Sequence, residues 1–130
     1  MNMSNIMKQY KTVGTQGAVE VANPHRLIAM LFTGARDKIT LAISALDRED
    51  PAAKGEALSK ALGIIEYLRA SLDPGIDAEF SSQLAELYTY MERRLTEANL
   101  QNDKEKLQEV HGLLNEIAEG WNGIPEEYRA

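Results

Sequence analysis

Four long segments of the chain repeat their apolar residues every three or four positions, a spacing that places them on one face of an α-helix. The pattern predicts helices over residues 24–47, 51–72, 77–98 and 103–120, with short polar connections between them. No alternation typical of a β-strand persists over a useful length. The hydrophobic pattern therefore indicates an all-α protein.

Capping and turn residues mark the boundaries of these segments. The pairs Asn23-Pro24 and Asp50-Pro51 are typical of helix starts. The Asn or Asp side chain accepts a hydrogen bond from a backbone N–H of the first turn, and proline has no backbone N–H that would remain without a partner there. The stretch Asp73-Pro74-Gly75 predicts a tight turn in which the glycine accepts a positive φ. Asn99 suits the left-handed end of the third helix, and the polar pair at 102–103 can cap the fourth.

The short connections between helices of about 16 to 24 residues imply that consecutive helices run in opposite directions. We therefore predict an antiparallel up-down four-helix bundle over residues 23–121. Residues 1–22 are polar and contain Gly14 and Gly17, and they are predicted to form a short mobile N-terminal arm. Residues 122–130 form a tail that is expected to add a short C-terminal turn.

The first predicted helix carries more apolar residues than one core-facing stripe requires. Leu27, Met30 and Leu41 lie beyond one edge of its main stripe, and Phe32 and Ile43 extend the other edge. Two interpretations remain open: a central helix packed between two neighbours, or a surface groove that binds another protein. The main stripe itself consists of Ile28, Leu31, Ala35, Ile39, Ala42 and Leu46.

The composition of the chain argues against several classes of binding partner. The 130 residues include 14 basic and 20 acidic side chains, giving a net charge of −6, and no cysteine. The absence of a basic cluster argues against nucleic acid and against an anionic membrane surface as partners. No apolar stretch approaches the roughly 20 residues of a membrane span, and the N-terminus lacks the apolar region of a secretory signal. These features predict a soluble, cytosolic single domain without stable membrane insertion.

The sequence lacks residues that the common catalytic and metal-binding patterns require. A di-iron bundle needs Glu-x-x-His pairs, but the residue three positions before His111 is Gln108, and Glu109 lies on another face. His25 has no ligand partner at helical spacing. The chain contains no Gly-rich phosphate loop, nucleophile elbow or EF-hand spacing. We therefore expect no enzymatic activity, no bound metal and no cofactor.

Several stretches in order resemble one known family. The opening of the chain reads YKTVGTQGAVEVANPHRLIAMLFTGA, which is similar to the start of the flagellar export chaperones that bind flagellin, the FliS family. The second, third and fourth predicted helices are similar to theirs through KALGIIEYLRASLD, LAELYTYMERRLTEAN and EVHGLLNEIAEGW. The resemblance extends from about residue 10 to residue 121.

Three positions depart from the family pattern. Phe32 stands where tyrosine is usual, Thr33 where aspartate is common, and Arg36 where an apolar residue often follows Gly-Ala. These differences concern hydrogen bonds that the usual tyrosine or aspartate would make. They leave the apolar groove of the first helix unchanged.

The resemblance implies a function that the hydrophobic pattern alone does not give. It implies an antiparallel helical bundle that holds the disordered C-terminal segment of flagellin in the cytoplasm and prevents its premature polymerisation. It further implies delivery to the flagellar export gate, a second partner. The N-terminal arm is expected to cover part of the groove and to give way when flagellin binds.

Candidate contacts for flagellin follow from this resemblance together with the apolar excess. The candidates lie in the arm and on the first three predicted helices: Ile6, Tyr10, Leu27, Met30, Leu31, Tyr67, Leu68, Tyr88 and Met91. The alternative is a homo-oligomeric structural or regulatory bundle whose apolar shoulder is a self-interface. We expect a monomer or a weak homodimer under the chaperone hypothesis.

Overall fold

The computed structural model of the chain describes residues 3–10 and 23–125. These residues form helices and no strand: α1 (Met3–Gln9), α2 (Pro24–Asp47), α3 (Pro51–Ala70), α4 (Ala78–Gln101) and α5 (Lys104–Asn122). The four long helices match the four predicted ones to within a few residues at each end. The all-α prediction is therefore confirmed for this part of the chain. Among the described helices, none combines the length and the apolar content that a membrane span requires.

The long helices pack as an antiparallel bundle in which α2 and α5, the first and last of the four, are also neighbours. Lys104 at the start of α5 bonds Asp47 at the end of α2, at 3.1 Å. Lys54 at the start of α3 donates to the backbone carbonyl of Asn99 near the end of α4, at 3.0 Å. Each pair joins the beginning of one helix to the end of another, as an up-down arrangement requires.

Helix starts follow the predicted chemistry. Asn23 and Asp50 each accept a backbone N–H from three residues later, at 3.1 Å, and each is followed by proline at the first helical position. The left-handed residue that ends α4 is Asn102, with φ 54° and ψ 44°, so the prediction of Asn99 for this role is wrong. Asp103 then caps α5. The difference has a tertiary cause, because Lys54 binds both the Asn99 carbonyl and the Asn102 side chain and supports the extra turn of α4.

The connection between α3 and α4 is a turn closed by Asp73. Its side chain accepts the Gly75 N–H at 2.9 Å, and its carbonyl accepts the Ile76 N–H at 3.3 Å. Gly75 does not have a positive φ, so that part of the turn prediction is wrong. The carboxylate of Asp73 holds the turn instead of glycine's conformational freedom.

The buried face of α2 keeps most of the predicted stripe and differs from it at two positions. Ile28, Ala35, Ile39 and Ala42 lie in the core as predicted. Phe32 and Ala45 are buried, whereas Leu31 and Leu46 are only partly buried. The buried arc is wider than the predicted stripe, because α3 and α5 flank α2 on both sides.

The structure adds a helix that the pattern did not predict. In α1, Ile6 is fully buried, as is Tyr10 directly after the helix, so the described part of the predicted arm packs on the bundle. Residues 11–22 of the arm and residues 126–130 of the tail lie outside the described residues. At the C-terminus a turn follows α5, in which the Ile124 N–H donates to the Trp121 carbonyl at 3.3 Å and the Ile124 side chain is buried.

Candidate partner-binding surface

Apolar side chains remain exposed along one edge of α2 and the adjoining edge of α3. Met30 and Leu41 of α2 are 60% and 54% exposed, and Tyr67 of α3 is 48% exposed. The other large exposed apolar residues in the described ranges are Ile76 and Leu100, which lie on the α3–α4 turn and near the end of α4. Exposure of large apolar side chains on two adjacent helices is typical of a protein contact site.

Gly34 and Ile64 join the two edges into one surface. A Cβ on Gly34 would lie 3.4 Å from the Ile64 terminal methyl group, so the helices are in contact here. Met30 is one turn before Gly34, and Tyr67 is three positions after Ile64, so each shares a face with its neighbour. We name this surface the α2–α3 strip; it consists of Leu27, Met30, Gly34, Leu41, Ile64 and Tyr67.

Two shallow clefts border the strip. One of about 330 Å³ lies on α2 beside the end of α5, and its lining includes Met30 and Gly34 together with Arg26, Asp37 and Asn122. The other, of about 190 Å³, is lined by Leu41 and Ala57 together with Lys38, Glu56 and Lys60. Both are open depressions in which apolar side chains are rimmed by charged ones, so each suits an apolar anchor of a partner helix with polar residues at its edge.

A second apolar surface lies beneath α1. Tyr10 approaches the Trp121 ring edge-on, with ring centroids 5.9 Å apart and an interplanar angle of 89°. The Tyr10 and Tyr88 hydroxyls share a hydrogen bond of 2.6 Å. Phe32 also approaches Trp121 edge-on, with ring centroids 6.4 Å apart and an interplanar angle of 68°. We call the surface formed by Phe32, Tyr88 and Trp121, which α1 and Tyr10 cover, the α1 seat.

Gln9 fixes the end of α1 to the α3–α4 connection. Its side-chain N–H donates to the Asp77 carbonyl at 3.2 Å, and its backbone carbonyl accepts the Asp73 N–H at 3.2 Å. The side-chain oxygen of Gln9 is buried and has no hydrogen-bond partner in the structure. The two hydrogen bonds that Gln9 makes tie the end of α1 to the α3–α4 connection, beside the α1 seat.

Burial sets the protonation of the two phenols in the seat. Loss of hydration is the main cause that raises the pKa of Tyr10 well above its ordinary value, and the adjacent Tyr88 raises it further. Burial likewise raises the pKa of Tyr88, although its hydrogen bond with Tyr10 acts in the opposite direction. Both hydroxyls are therefore neutral in the folded protein at physiological pH, and each can donate and accept a hydrogen bond.

The nine predicted contact residues fall into three groups. Met30 and Tyr67 are exposed on the α2–α3 strip, Leu27 is a partly buried member of it, and Leu31 is partly buried beside it. Five are buried: Ile6, Tyr10, Leu68, Tyr88 and Met91. Of these five, Tyr10 and Tyr88 meet at the α1 seat, whereas Leu68 and Met91 lie within the bundle core.

Sequence reasoning omitted five residues of these surfaces from the candidate set. Gly34, Leu41 and Ile64 complete the α2–α3 strip, and Phe32 and Trp121 form most of the α1 seat. Leu41 already stood out beyond the stripe of α2, so the signal for it was present. Trp121 belongs to the apolar stripe of α5, and only the position of α1 shows that it also supports a covering segment.

Within residues 3–10 and 23–125, no three His, Asp or Glu side chains form a group that could hold a metal ion. His25 is instead a structural residue. Its ring stacks on Trp121 with centroids 4.7 Å apart, and its Nε2 bonds the Trp121 carbonyl at 2.8 Å.

Comparison with known proteins gives a consistent result along the chain. The family model described as "Flagellar protein FliS" matches residues 6–128. The chain is 49% identical over 119 residues to the flagellar secretion chaperone FliS of Salmonella typhimurium, covering 91% of this chain and 88% of that protein. It is 45% identical over 118 residues to the flagellar secretion chaperone FliSB of Pseudomonas aeruginosa, covering 91% and 94%. The Escherichia coli K12 FliS is 40% identical over 113 residues, covering 86% and 83%.

Proposed function

The chain belongs to the FliS family, and from that premise we propose that it is a cytoplasmic export chaperone that binds the C-terminal segment of flagellin. Binding would mask the segment that drives polymerisation until the client reaches the flagellar export gate. The curated relatives are named flagellar secretion chaperones, which supports the general role. The choice of client and segment is the part that an experiment must test.

The α2–α3 strip is the observation that carries the proposal. The inner faces of the helices supply the core of the bundle. The exposed side chains of Met30, Leu41 and Tyr67 therefore add little to the stability of the fold, and smaller polar residues could replace them there. Their spacing along two helices suits an amphipathic helix laid in a groove, with anchors at every third or fourth residue. Methionine and tyrosine suit such a surface, since methionine adapts its shape and tyrosine combines area with a polar tip.

The energetics favour a client that folds as it binds. A disordered segment that becomes helical on the strip loses about 2–5 kcal/mol of its gross interaction energy to ordering. Affinity would therefore come from apolar area spread over several anchors, with few polar contacts. Such a complex is stable enough to prevent polymerisation and still releases its client in stages at the gate.

The covering segment α1 is proposed to compete with the client for the α1 seat. A seven-residue helix has little stability of its own, so its position depends on the seat. A longer client helix that covers the same surface with more contacts would bind it more favourably and displace α1.

A second copy of the chain is the competing occupant of the strip. An apolar edge of this kind also suits an isologous dimer, in which Met30 and Leu41 of each protomer meet the other's. Light scattering separates the two hypotheses. Self-burial predicts a dimer that persists when flagellin is added, whereas the chaperone hypothesis predicts a one-to-one heterodimer.

The direct test is calorimetric titration of the chain with a peptide of the C-terminal segment of its host's flagellin, with helicity followed by circular dichroism. We expect saturable one-to-one binding and more helix than the sum of the separate components. The double variant Met30→Ser/Leu41→Ser should lose most of the heat of peptide binding. Leu100→Ser is the control: it is the same kind of change at a residue that is 79% exposed elsewhere on the bundle, and it should leave the heat of binding unchanged. Absence of binding by the unaltered chain would contradict the proposal.

A further inference from the structure

The Tyr88 hydroxyl lies at the bottom of the α1 seat, on a side chain with no exposed surface. Its partner is the hydroxyl of Tyr10, 2.6 Å away, supplied by the covering segment. The rest of the seat consists of the aromatic faces of Phe32 and Trp121, which offer little hydrogen bonding towards α1. Removal of α1 therefore takes away the hydrogen bond of a deeply placed hydroxyl in apolar surroundings.

A buried hydroxyl discriminates strongly between segments that replace α1. Apolar surroundings accept many side chains of similar size, and one methylene more or less changes affinity modestly. A buried hydroxyl without a partner loses its hydration and gains no bond in return, so a segment that covers Tyr88 with apolar atoms alone is penalised. A carboxylate would be penalised as well, because it would have to be desolvated in this seat.

From this geometry, and resting on the proposed function, we infer that Tyr88 is a specificity-determining residue. Its hydroxyl selects a neutral hydrogen-bonding side chain on the flagellin helix that replaces α1. Ile6 and Tyr10 are four positions apart and both buried, so the seat is matched to one helical turn. The selected side chain should therefore lie one turn from an apolar anchor in the client, as Tyr10 lies one turn from Ile6.

The inference requires that the client displace α1, and Tyr10→Ala tests that step in the full chain. Removing the Tyr10 ring weakens the hold of α1 on Tyr88 and Trp121 without touching the seat itself. We expect the flagellin C-terminal peptide to bind this variant several-fold more tightly than the unaltered chain. Unchanged affinity would show that the seat is not used and would overturn the inference.

The hydroxyl itself is tested by adding Tyr88→Phe to Tyr10→Ala, so that competition from α1 no longer obscures the contact. We expect the peptide to bind the double variant about tenfold more weakly than the single one. Tyr90→Phe in the same background is the matched control, because the Tyr90 hydroxyl donates to Glu109 on the outer face, at 2.6 Å. The control should leave affinity unchanged.

The client side gives a measurement that does not depend on altering the fold. Each neutral polar residue of the peptide is replaced by an apolar residue of similar size, and the peptides are titrated into the Tyr10→Ala protein and the double variant. One replacement should weaken binding to the Tyr10→Ala protein about tenfold and should change binding to the double variant little. If no replacement shows this coupling, or if Tyr88→Phe leaves binding equal or tighter, the inference is overturned while the proposed function stands. If the peptide binds none of the proteins, the proposed function fails and the inference fails with it.

Discussion

His25 and Trp121, 96 residues apart, exchange two hydrogen bonds and stack their rings. The Trp121 indole N–H donates to the His25 carbonyl at 2.9 Å, and His25 Nε2 bonds the Trp121 carbonyl at 2.8 Å. The contact joins the start of α2 to the end of α5 and thereby closes the bundle directly beneath α1. It also holds the Trp121 ring in the position that Tyr10 covers.

Trp121→Phe should therefore destabilise the whole bundle. The change removes the indole N–H that donates to the His25 carbonyl, and it replaces the bicyclic indole of a buried stack by a smaller phenyl ring. We expect the free energy of unfolding to fall by about 2–4 kcal/mol, measured by chemical denaturation followed by circular dichroism. Tyr67→Phe, at a side chain 48% exposed on α3, should change it by less than about 0.5 kcal/mol. A loss of that small size for Trp121→Phe would mean that the reciprocal bonds contribute little.

The paired phenols predict a loss of stability at alkaline pH. Burial raises the pKa of Tyr10 and Tyr88 in the folded state, so above about pH 10 the unfolded chain releases protons that the folded chain retains. Their contribution to stability is complete below that pH and declines as the pH rises through it. Trp121, against which Tyr10 packs, provides the fluorescence signal for release of α1.

The double variant Tyr10→Phe/Tyr88→Phe isolates this effect. It has neither ionisable hydroxyl, so the part of the alkaline transition that comes from the α1 seat should disappear. All other side chains are the same in the two proteins and serve as the common background. Equal pH dependence in the two proteins would contradict the prediction.

Local signals in the sequence predicted the long helices well. Asn23-Pro24 and Asp50-Pro51 each cap and start a helix as expected, because those signals act within one turn. The stripe of α5 was also correct throughout, with Leu107, Val110, Leu114, Ile117 and Trp121 all buried. These features depend on chemistry between near neighbours in the chain.

What the sequence did not predict depends on contacts between distant residues. Helix α1 is too short for a period to be recognised, and Tyr10 is fixed by Tyr88, 78 positions away. Lys54 is buried on the inner face of α3 because its ammonium group reaches the carbonyl of Asn99, 45 positions away. The burial of Phe32 instead of Leu31 on α2 likewise follows from which helices flank it.

Two predicted contact residues, Leu68 and Met91, require a test that separates core from surface. Both are fully buried, so Leu68→Ala should lower the free energy of unfolding by about 2–5 kcal/mol. Met91→Leu conserves volume and should cost less than about 1.5 kcal/mol. A folded Met91→Leu protein with weakened peptide binding would place Met91 in the client interface, whereas unchanged binding would place it in the core alone.

The α2–α3 strip should tolerate polar substitution without loss of stability. Met30→Ser and Leu41→Ser each remove an exposed apolar side chain, so the free energy of unfolding should change by no more than about 0.5 kcal/mol. Each should nevertheless weaken binding of the flagellin peptide by roughly tenfold, because the client buries that side chain in the complex. Titration calorimetry and chemical denaturation of the same samples separate the two effects. The control Leu100→Ser should change neither the affinity for the peptide nor the free energy of unfolding. Loss of stability without loss of affinity would show instead that the exposed edge of α2 serves the bundle and that the client binds elsewhere.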